Sequence, residues 1–190
     1  STHHQVFSSE LVKTKIPALA ELAGTIGDPM VRNRGTIGGS LANNDPAASY
    51  PSAVLALNAT INTDKRSIPA DEFFLGMFDT ALDEGELILS VSFPIPEKAG
   101  YKHFPNPASR YPIVGAFVAK TNGEVRVAIT GAGPCAYRQI EFEEAWADGN
   151  LDPEKIKDIQ ISDEGLASDI HASAEYRAHL INVMARRAVG

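Results

Sequence analysis

Residues 113–130, IVGAFVAKTNGEVRVAIT, carry the local pattern that decides the fold class of this chain. The first run, Ile113–Ala119, is apolar, and the second, Val125–Thr130, alternates along its length. Between them stands Asn122-Gly123, a dipeptide that favours a type I′ turn because both residues tolerate positive φ. The pattern predicts a β-hairpin and therefore an antiparallel sheet.

Outside the hairpin, strand-like and helical segments follow one another without regular alternation. Residues 60–62, 66–68, 87–93 and 101–104 favour strands. Because a parallel sheet would need strands and helices in turn, we predict an α+β fold with antiparallel sheets and flanking helices. The proline-containing segment 94–100 predicts a boundary between two units, residues 1–97 and 98–190. The predicted helices span residues 10–14, 17–24, 50–57, 141–147, 153–159 and a final segment capped by Ser173.

The composition argues against several classes of function. The chain has 190 residues and a formal net charge of −7, which argues against general nucleic-acid binding. Cys135 is the only cysteine, so neither an intrachain disulfide nor a cysteine-ligated metal cluster can form. No apolar run is long enough to span a membrane and no signal peptide is visible, so we expect a cytoplasmic protein. The start at Ser1, without an initiator Met, leads us to expect a clipped or processed chain.

The segment most informative about function is Arg34–Ser40, RGTIGGS. It lies in Val31–Asp45, which we predict to be a long structured loop because glycine and asparagine are frequent there. The glycines would let the backbone approach a ligand and adopt positive φ, and successive N–H groups in such a turn bind anionic oxygen. Hydroxyls of Thr36 and Ser40 and the nearby arginines add donors and positive charge. A pyrophosphate is the natural ligand, and a structural glycine turn is the alternative.

The surroundings of this segment carry a family resemblance. Residues 27–49, GDPMVRNRGTIGGSLANNDPAAS, closely resemble the second FAD motif of flavoprotein subunits in the xanthine dehydrogenase and carbon monoxide dehydrogenase family, the molybdenum hydroxylases. FFLG at 73–76, EGELI at 84–88 and YKHF at 101–104 resemble the rest of that FAD domain. GAGP at 131–134 and ASAEYR at 172–177 resemble the C-terminal domain of the same subunits. The resemblance covers nearly the whole chain, and it is specific because many short motifs keep their order and spacing.

The resemblance implies a domain organisation. Residues 1–97 would be the second FAD-binding subdomain, with an antiparallel sheet and flanking helices, and residues 98–190 a smaller α+β C-terminal flavoprotein domain. In relatives a first FAD subdomain, with another double-glycine loop, precedes the segment that resembles Ser1–His4. We expect that subdomain to be missing here. Half of the cofactor cradle would then be lost, so we expect FAD to be absent or weakly held in this chain.

The resemblance also implies a function, an FAD-binding electron-transfer subunit that is not active alone. A large subunit would carry the molybdenum cofactor and an iron–sulfur small subunit two [2Fe–2S] clusters, from which electrons pass through FAD to an external acceptor. The expected assembly is a dimer of heterotrimers, without nucleic acid or membrane. No side chain of this chain need be catalytic or bind a metal. Two alternatives are a clipped interaction domain that no longer holds FAD and a nucleotide-binding module unrelated to redox chemistry.

The family motifs map onto ten candidate cofactor-binding residues. The resemblance places the run from Thr36 to Ser40 along the FAD pyrophosphate and Ile88 in apolar contact with the cofactor. Tyr111 is either an aromatic ring against the isoalloxazine or a surface tyrosine beside the hairpin. Ser49 stands where many relatives carry an acidic residue, so it could hydrogen-bond without charge. The full set is Ile26, Gly27, Thr36, Ile37, Gly38, Gly39, Ser40, Ser49, Ile88 and Tyr111.

Three polar residues near these motifs are predicted to have ordinary roles. Asp45 precedes Pro46, and we expect it to form a turn or a helix cap rather than to bind a ligand. His3 and His4 are adjacent, with no carboxylate or cysteine cluster nearby, so we expect two solvated histidines rather than a metal site.

Overall fold

The computed structural model describes all 190 residues as an α+β fold, as the sequence predicts. Most of the helices lie in the first third of the chain, and the strands follow them. No helix is long and apolar enough to cross a membrane. The helices are α1 (His3–Ser8), α2 (Glu10–Lys15), α3 (Pro17–Thr25), α4 (Pro29–Arg34), α5 (Ile37–Asn43), α6 (Tyr50–Ala56), α7 (Ile140–Ala145) and α8 (Ala174–Val189), with short 3-10 turns at Ala70–Glu72 and Pro153–Ile156.

Nine strands form three antiparallel sheets. One has the order β2-β1-β5, one is the β3-β4 hairpin, and the largest has the order β6-β7-β8-β9. The predicted hairpin is confirmed as β7 and β8, with Asn122 at φ 52° and Gly123 at φ 81° in its turn. The strands are β1 (Thr60–Thr63), β2 (Ser67–Pro69), β3 (Phe74–Gly76), β4 (Asp79–Thr80), β5 (Ile88–Ser92), β6 (Lys98–Pro105), β7 (Pro112–Thr121), β8 (Glu124–Thr130) and β9 (Tyr137–Arg138).

The four-stranded sheet is buried on both faces, which explains the continuous apolar run of β7. Phe117 and Ala119 point into a cluster that includes side chains of α3, α6 and β1. Ala116 and Val118 point the opposite way, into a second cluster with Trp146 and the apolar face of α8. Successive side chains of a strand alternate between faces, so a strand covered on both sides reads as uniformly apolar. Helix α6 is buried along its whole length and packs in the first of these clusters.

The prediction of a loop at Val31–Asp45 is wrong, since most of this segment forms helices α4 and α5. Asp28 caps α4 by accepting the Val31 N–H, and Thr36 caps α5 in the same way. Glycine lowers helix propensity by about 1 kcal/mol per residue. Two cap hydrogen bonds and the complete burial of Leu41 offset that cost.

The structure differs from the sequence-based prediction at two further places. Helix α1 was not predicted, although Thr2 and Gln5 form a reciprocal capping box at its start. Residues 153–159 were predicted to be α-helical, and only a 3-10 turn, Pro153–Ile156, forms there. Pro153 begins this turn, and Asp152 caps it through the Glu154 N–H. The N–H groups of Lys155, Lys157 and Ile159 each donate to the carbonyl three residues earlier, which is the hydrogen-bond pattern of 3-10 turns rather than of an α-helix.

Candidate cofactor-binding site

The first turn of α5 is held in place by the N-terminal segment of the chain. Thr2 and Thr36 form an isolated antiparallel bridge, and the His3 N–H donates to the Gly35 carbonyl at 2.9 Å. The Ile37 N–H donates to the Ser1 carbonyl at 3.1 Å. Two stretches that are more than thirty residues apart in sequence therefore lie side by side.

Hydrogen bonding within this turn decides which donors remain for a ligand. Thr36 Oγ1 accepts the Gly39 N–H at 3.0 Å, and the Thr36 carbonyl accepts the Ser40 N–H at 3.0 Å. The Gly38 N–H is left without a partner in the chain. Because Thr36 uses its hydroxyl oxygen as an acceptor, the hydroxyl proton stays free to donate to another group.

The glycines of this segment serve a different purpose from the expected one. None of Gly35, Gly38 and Gly39 has positive φ, so the expectation of left-handed backbone there is wrong. A Cβ at Gly35 would overlap His3 Nε2, and one at Gly39 would lie 3.0 Å from Thr36 Oγ1. At Gly38 it would meet only Ile88 Cγ2, at 4.0 Å. Gly35 therefore makes room for a neighbouring side chain, and Gly38 is not required for packing.

One side of α5 opens onto a cavity of about 470 Å³, which we call the polar cavity. Its volume lies within the range of roughly 300–1,000 Å³ that is typical of ligand pockets. Seven of the ten predicted site residues line it: Ile26, Gly27, Thr36, Gly39, Ser40, Ser49 and Tyr111. Other lining residues are His3, Val31, Arg34, Gly35, Asn43, Asp45, Ala47, Ala48, Arg110 and Pro112.

Three arginines near the polar cavity have different roles. Arg32 donates to the carbonyls of Ile26 and Gly27, both at 3.0 Å, and so supports the turn that forms one wall. Arg110, in the loop before β7, donates to the same Gly27 carbonyl at 3.2 Å. Arg34 lines the cavity and makes no hydrogen bond or salt bridge within the chain. Arg34 and Arg110 therefore give the cavity positive charge in a chain that is acidic overall.

The wall formed by residues 45–49 is held by the four-stranded sheet. The Asp45 carboxylate accepts the Ala47 N–H at 2.8 Å, which confirms its predicted turn role. Ser49 is buried, and its hydroxyl accepts a hydrogen bond from Tyr101 at 3.1 Å. The Thr130 hydroxyl donates to the Ala48 carbonyl at 2.6 Å. Strands β6 and β8 therefore fix this wall, and Ser49 already has a partner inside the protein.

Tyr111 stands at the edge of the polar cavity with half of its surface exposed. The loop before it is ordered by Asn106, whose side chain accepts the N–H groups of Ala108 and Ser109. The Asn106 N–H also donates to the Tyr111 carbonyl at 2.8 Å. An exposed aromatic ring beside a polar cavity is well placed to stack on a planar ligand.

The other side of α5 faces a second, larger cavity of about 840 Å³, which we call the apolar cavity. The remaining predicted residues, Ile37, Gly38 and Ile88, line this cavity, while Thr36 and Gly39 line both. Most of its lining is aliphatic, and it runs along β5, an edge strand. Several of its side chains are strongly exposed: Leu11, Leu87, Leu89 and Ile95. The predicted residues thus surround the start of α5 but do not form a single cavity.

Two residues of this region have roles that were not predicted. His3 was expected to be solvated, but it is 6% exposed and lines the polar cavity, whereas His4 is exposed. Burial, followed by the positive charge of Arg32, lowers the pKa of His3. Asn44 ends α5 at φ 43° and donates to the carbonyls of Gly76 and Asp79, both at 2.8 Å. An Asn after a predicted helix is a sequence signal for such a cap, but no pattern marked His3.

Comparison with known proteins identifies the family. Residues 1–96 match the family described as the FAD binding domain in molybdopterin dehydrogenase, and residues 99–190 match the CO dehydrogenase flavoprotein C-terminal domain. The glyceraldehyde dehydrogenase medium chain of Sulfolobus acidocaldarius is 33% identical, over 98% of this chain and 71% of its own. The carbon monoxide dehydrogenase medium chain of Hydrogenophaga pseudoflava is 28% identical, over 100% of this chain and 71% of its own.

Solved structures agree with the sequence matches. Carbon monoxide dehydrogenase from Hydrogenophaga pseudoflava matches with a TM-score of 0.82 and 29% identity, over 100% of this chain and 71% of that one. Quinoline 2-oxidoreductase from Pseudomonas putida 86 matches with a TM-score of 0.79 and 27% identity, over 99% of this chain and 70% of that one. The chain therefore belongs to the family of FAD-binding medium subunits of the molybdenum hydroxylases, which includes those of the carbon monoxide and xanthine dehydrogenases.

Proposed function

We propose that this chain is the FAD-binding electron-transfer subunit of a molybdenum-containing hydroxylase or dehydrogenase. In this role, electrons from [2Fe–2S] clusters on a small subunit reach the FAD site of this chain and leave to an external acceptor. When bound, FAD supplies the redox chemistry, and the chain supplies binding, orientation and electrostatics. The observation that carries the proposal is the polar cavity, where Arg34 and Arg110 stand beside the start of α5.

The groups around the start of α5 fit the diphosphate of FAD. The free hydroxyl proton of Thr36 and the hydroxyl of Ser40 are donors in the polar cavity, where Arg34 adds charge. The unpaired Gly38 N–H lies on the side of the apolar cavity. Gly39 contributes space rather than a donor, since its N–H is already used by Thr36. We therefore assign Thr36 and Ser40 to hydrogen bonding with the diphosphate in the polar cavity, Gly39 to its contact surface, and Ile37 and Gly38 to cofactor contact on the side of the apolar cavity.

The remaining candidates suit the ring systems of the cofactor. The half-exposed ring of Tyr111 would stack on the isoalloxazine, beside Ile26 and Gly27 on the facing wall. Ile88 offers an apolar contact on the other side of α5. Ser49 is held by Tyr101, so we assign it to shaping the wall, with no charge directed at the cofactor.

The same proposal covers the partner subunits and the division of the chain into two domains. We propose assembly with an iron–sulfur small subunit and a molybdenum-cofactor large subunit, as a dimer of heterotrimers in the cytoplasm, with no activity of the isolated chain. The support is that relatives are named as medium chains or subunits of dehydrogenases. Residues 1–97 and 98–190 are proposed as the FAD-binding subdomain and the C-terminal flavoprotein domain.

Titration of the purified chain with FAD tests the proposal. We expect weak but saturable quenching of flavin fluorescence that approaches one FAD per chain at high FAD concentration and that an equal concentration of ATP does not reverse. Lys157→Ala, on the surface of the C-terminal half, is the control and should bind FAD like the wild type. No saturable binding, or displacement of FAD by ATP at equal concentration, would contradict the proposal. Purification of the native complex tests the partners.

A second candidate function is a partner-binding domain that holds no cofactor. The apolar cavity favours it, because an exposed apolar groove of this size along an edge strand is typical of a surface that another protein covers. The two functions differ in a single observable. A cofactor subunit binds FAD in titration, whereas a cofactor-free interaction domain associates with its partners and gives no flavin signal.

A further inference from the structure

His3 is deeply buried, belongs to the wall of the polar cavity, and has a buried ring nitrogen without a hydrogen-bond partner. The residue is 6% exposed, and Nδ1 is buried without a hydrogen-bond partner. The Tyr50 hydroxyl, on a ring whose centroid lies 5.3 Å from that of His3, is also buried without a partner. Buried polar atoms that lack partners destabilise a folded protein, so native structures keep few of them.

The contacts that hold the N-terminal segment in place do not require a histidine at position 3. The bond that ties residue 3 to Gly35 comes from the backbone N–H, which almost any residue would provide. Gly35 itself has room for no side chain, because a Cβ there would overlap His3 Nε2. The chain thus keeps a polar ring where an aliphatic side chain would pack without an unsatisfied nitrogen.

The charge state of His3 defines what it could bind. Burial and the nearby Arg32 guanidinium lower the pKa of the imidazole, so the neutral ring predominates at neutral pH. A neutral imidazole has one N–H donor and one acceptor. Burial also raises the pKa of the neighbouring Tyr50 phenol, which stays neutral. A neutral imidazole suits phosphate oxygens and hydroxyl groups.

We propose that His3 is a further cofactor-binding residue, whose Nε2, the ring nitrogen beside Gly35, hydrogen-bonds an oxygen of the ribityl–diphosphate part of FAD in the polar cavity. This inference rests on the proposed function. It adds a contact from outside the glycine segment, and it explains why a buried polar ring stands at position 3.

Substitution of His3, compared with its exposed neighbour His4, tests the inference in the purified chain. We expect His3→Leu to weaken FAD binding at least tenfold in a fluorescence titration, since a hydrogen bond to a charged group is lost. His3→Gln retains a donor and an acceptor and should lose less affinity. His4→Leu should bind FAD like the wild type. Without FAD, His3→Leu should melt at the same temperature as the wild type or higher, because a buried unsatisfied nitrogen is removed.

The outcomes separate this inference from the proposed function. If the wild type binds FAD and His3→Leu binds it equally well, only the role of His3 is overturned. If the wild type shows no saturable FAD binding, the proposed function and this inference both fail. A lower melting temperature together with an equal loss of affinity in His3→Gln and His3→Leu would make His3 structural. Should His3→Leu not fold, His3→Met replaces it, and wild-type FAD affinity in that variant overturns the inference.

Discussion

The two cavities on either side of α5 differ in chemistry although they share Thr36 and Gly39 as a common wall. The polar cavity contains His3, Arg34 and Arg110, while the apolar cavity is lined mostly by aliphatic side chains. One short helix thus presents a surface suited to an anion on one side and a surface suited to apolar contact on the other. The residues of the RGTIGGS segment line both cavities, so they need not all contact the same part of a ligand.

The largest expected effect is that of Gly35→Val, at the polar side of the shared wall. The new side chain would overlap His3 Nε2 and approach the Val31 carbonyl, so helices α1 and α4 would have to move apart. Overpacking of this kind costs up to roughly 3 kcal/mol. Urea denaturation measures the loss, and an unchanged unfolding midpoint would show that His3 can leave its place without penalty.

The next largest effect is expected on FAD affinity, when one cation is removed from each cavity in turn. Arg34→Ala should weaken FAD binding about tenfold at low salt, because an unpaired guanidinium that could meet the diphosphate is lost. Lys15→Ala, which removes a cation lining only the apolar cavity, should leave FAD affinity unchanged. Fluorescence titrations at two salt concentrations compare the variants. Equal losses in both would assign the effect to net charge rather than to the polar cavity.

Protonation of one residue beside each cavity should lower the stability of the protein in a different pH range. Burial and Arg32 lower the pKa of His3 below 6.5, so the folded protein loses stability as the pH falls below 6.5, where the unfolded chain binds a proton that buried His3 takes up less readily. Hydrogen bonds from Arg66, the Asp83 N–H and Thr63 lower the pKa of Glu86, beside the apolar cavity, from 4.5 to about 2. Its contribution is therefore present above 4.5 and is lost as the pH falls towards 2.

Unfolding midpoints between pH 7 and pH 3 separate the two contributions. His3→Leu should flatten the profile just below pH 6.5, and Glu86→Gln should flatten it only below pH 4.5. A Glu86→Gln profile parallel to that of the wild type down to pH 3 would contradict the role given to Arg66 and Thr63.

The smallest expected effect is that of Gly38→Ala, on the apolar side of the shared wall. Its Cβ would meet only Ile88 Cγ2, at 4.0 Å, and Gly38 does not have positive φ. Alanine favours helix over glycine by up to about 1 kcal/mol, so the variant should be equally stable or slightly more stable. Thermal unfolding measures it. A clear loss of stability would mean that the apolar cavity is tighter at Gly38 than its geometry indicates.

The four-stranded sheet and the last helix were predictable because their signals are local. The turn at Asn122-Gly123, the apolar run of β7 and the Ser173 cap each act within a few residues, and all three form as expected. The segment from Val31 to Asp45 was predicted wrongly, because glycine content outweighed two cap signals that are equally local. The start signals at Asp28 and Thr36 were present in the sequence and would have predicted both helices.

The sequence by itself determined the fold class and the motif that marks the cofactor-binding family, because turn dipeptides, caps and alternating apolar residues act over short distances. Only the tertiary structure decided which candidates share a cavity. Ile88 and Tyr111 lie on opposite sides of α5, and His3 reaches the polar cavity because the backbone of Ser1–His3 pairs with residues 35–37. Such contacts join residues far apart along the chain, and they depend on the packing of α1 against α3 and α4, which no local pattern specifies.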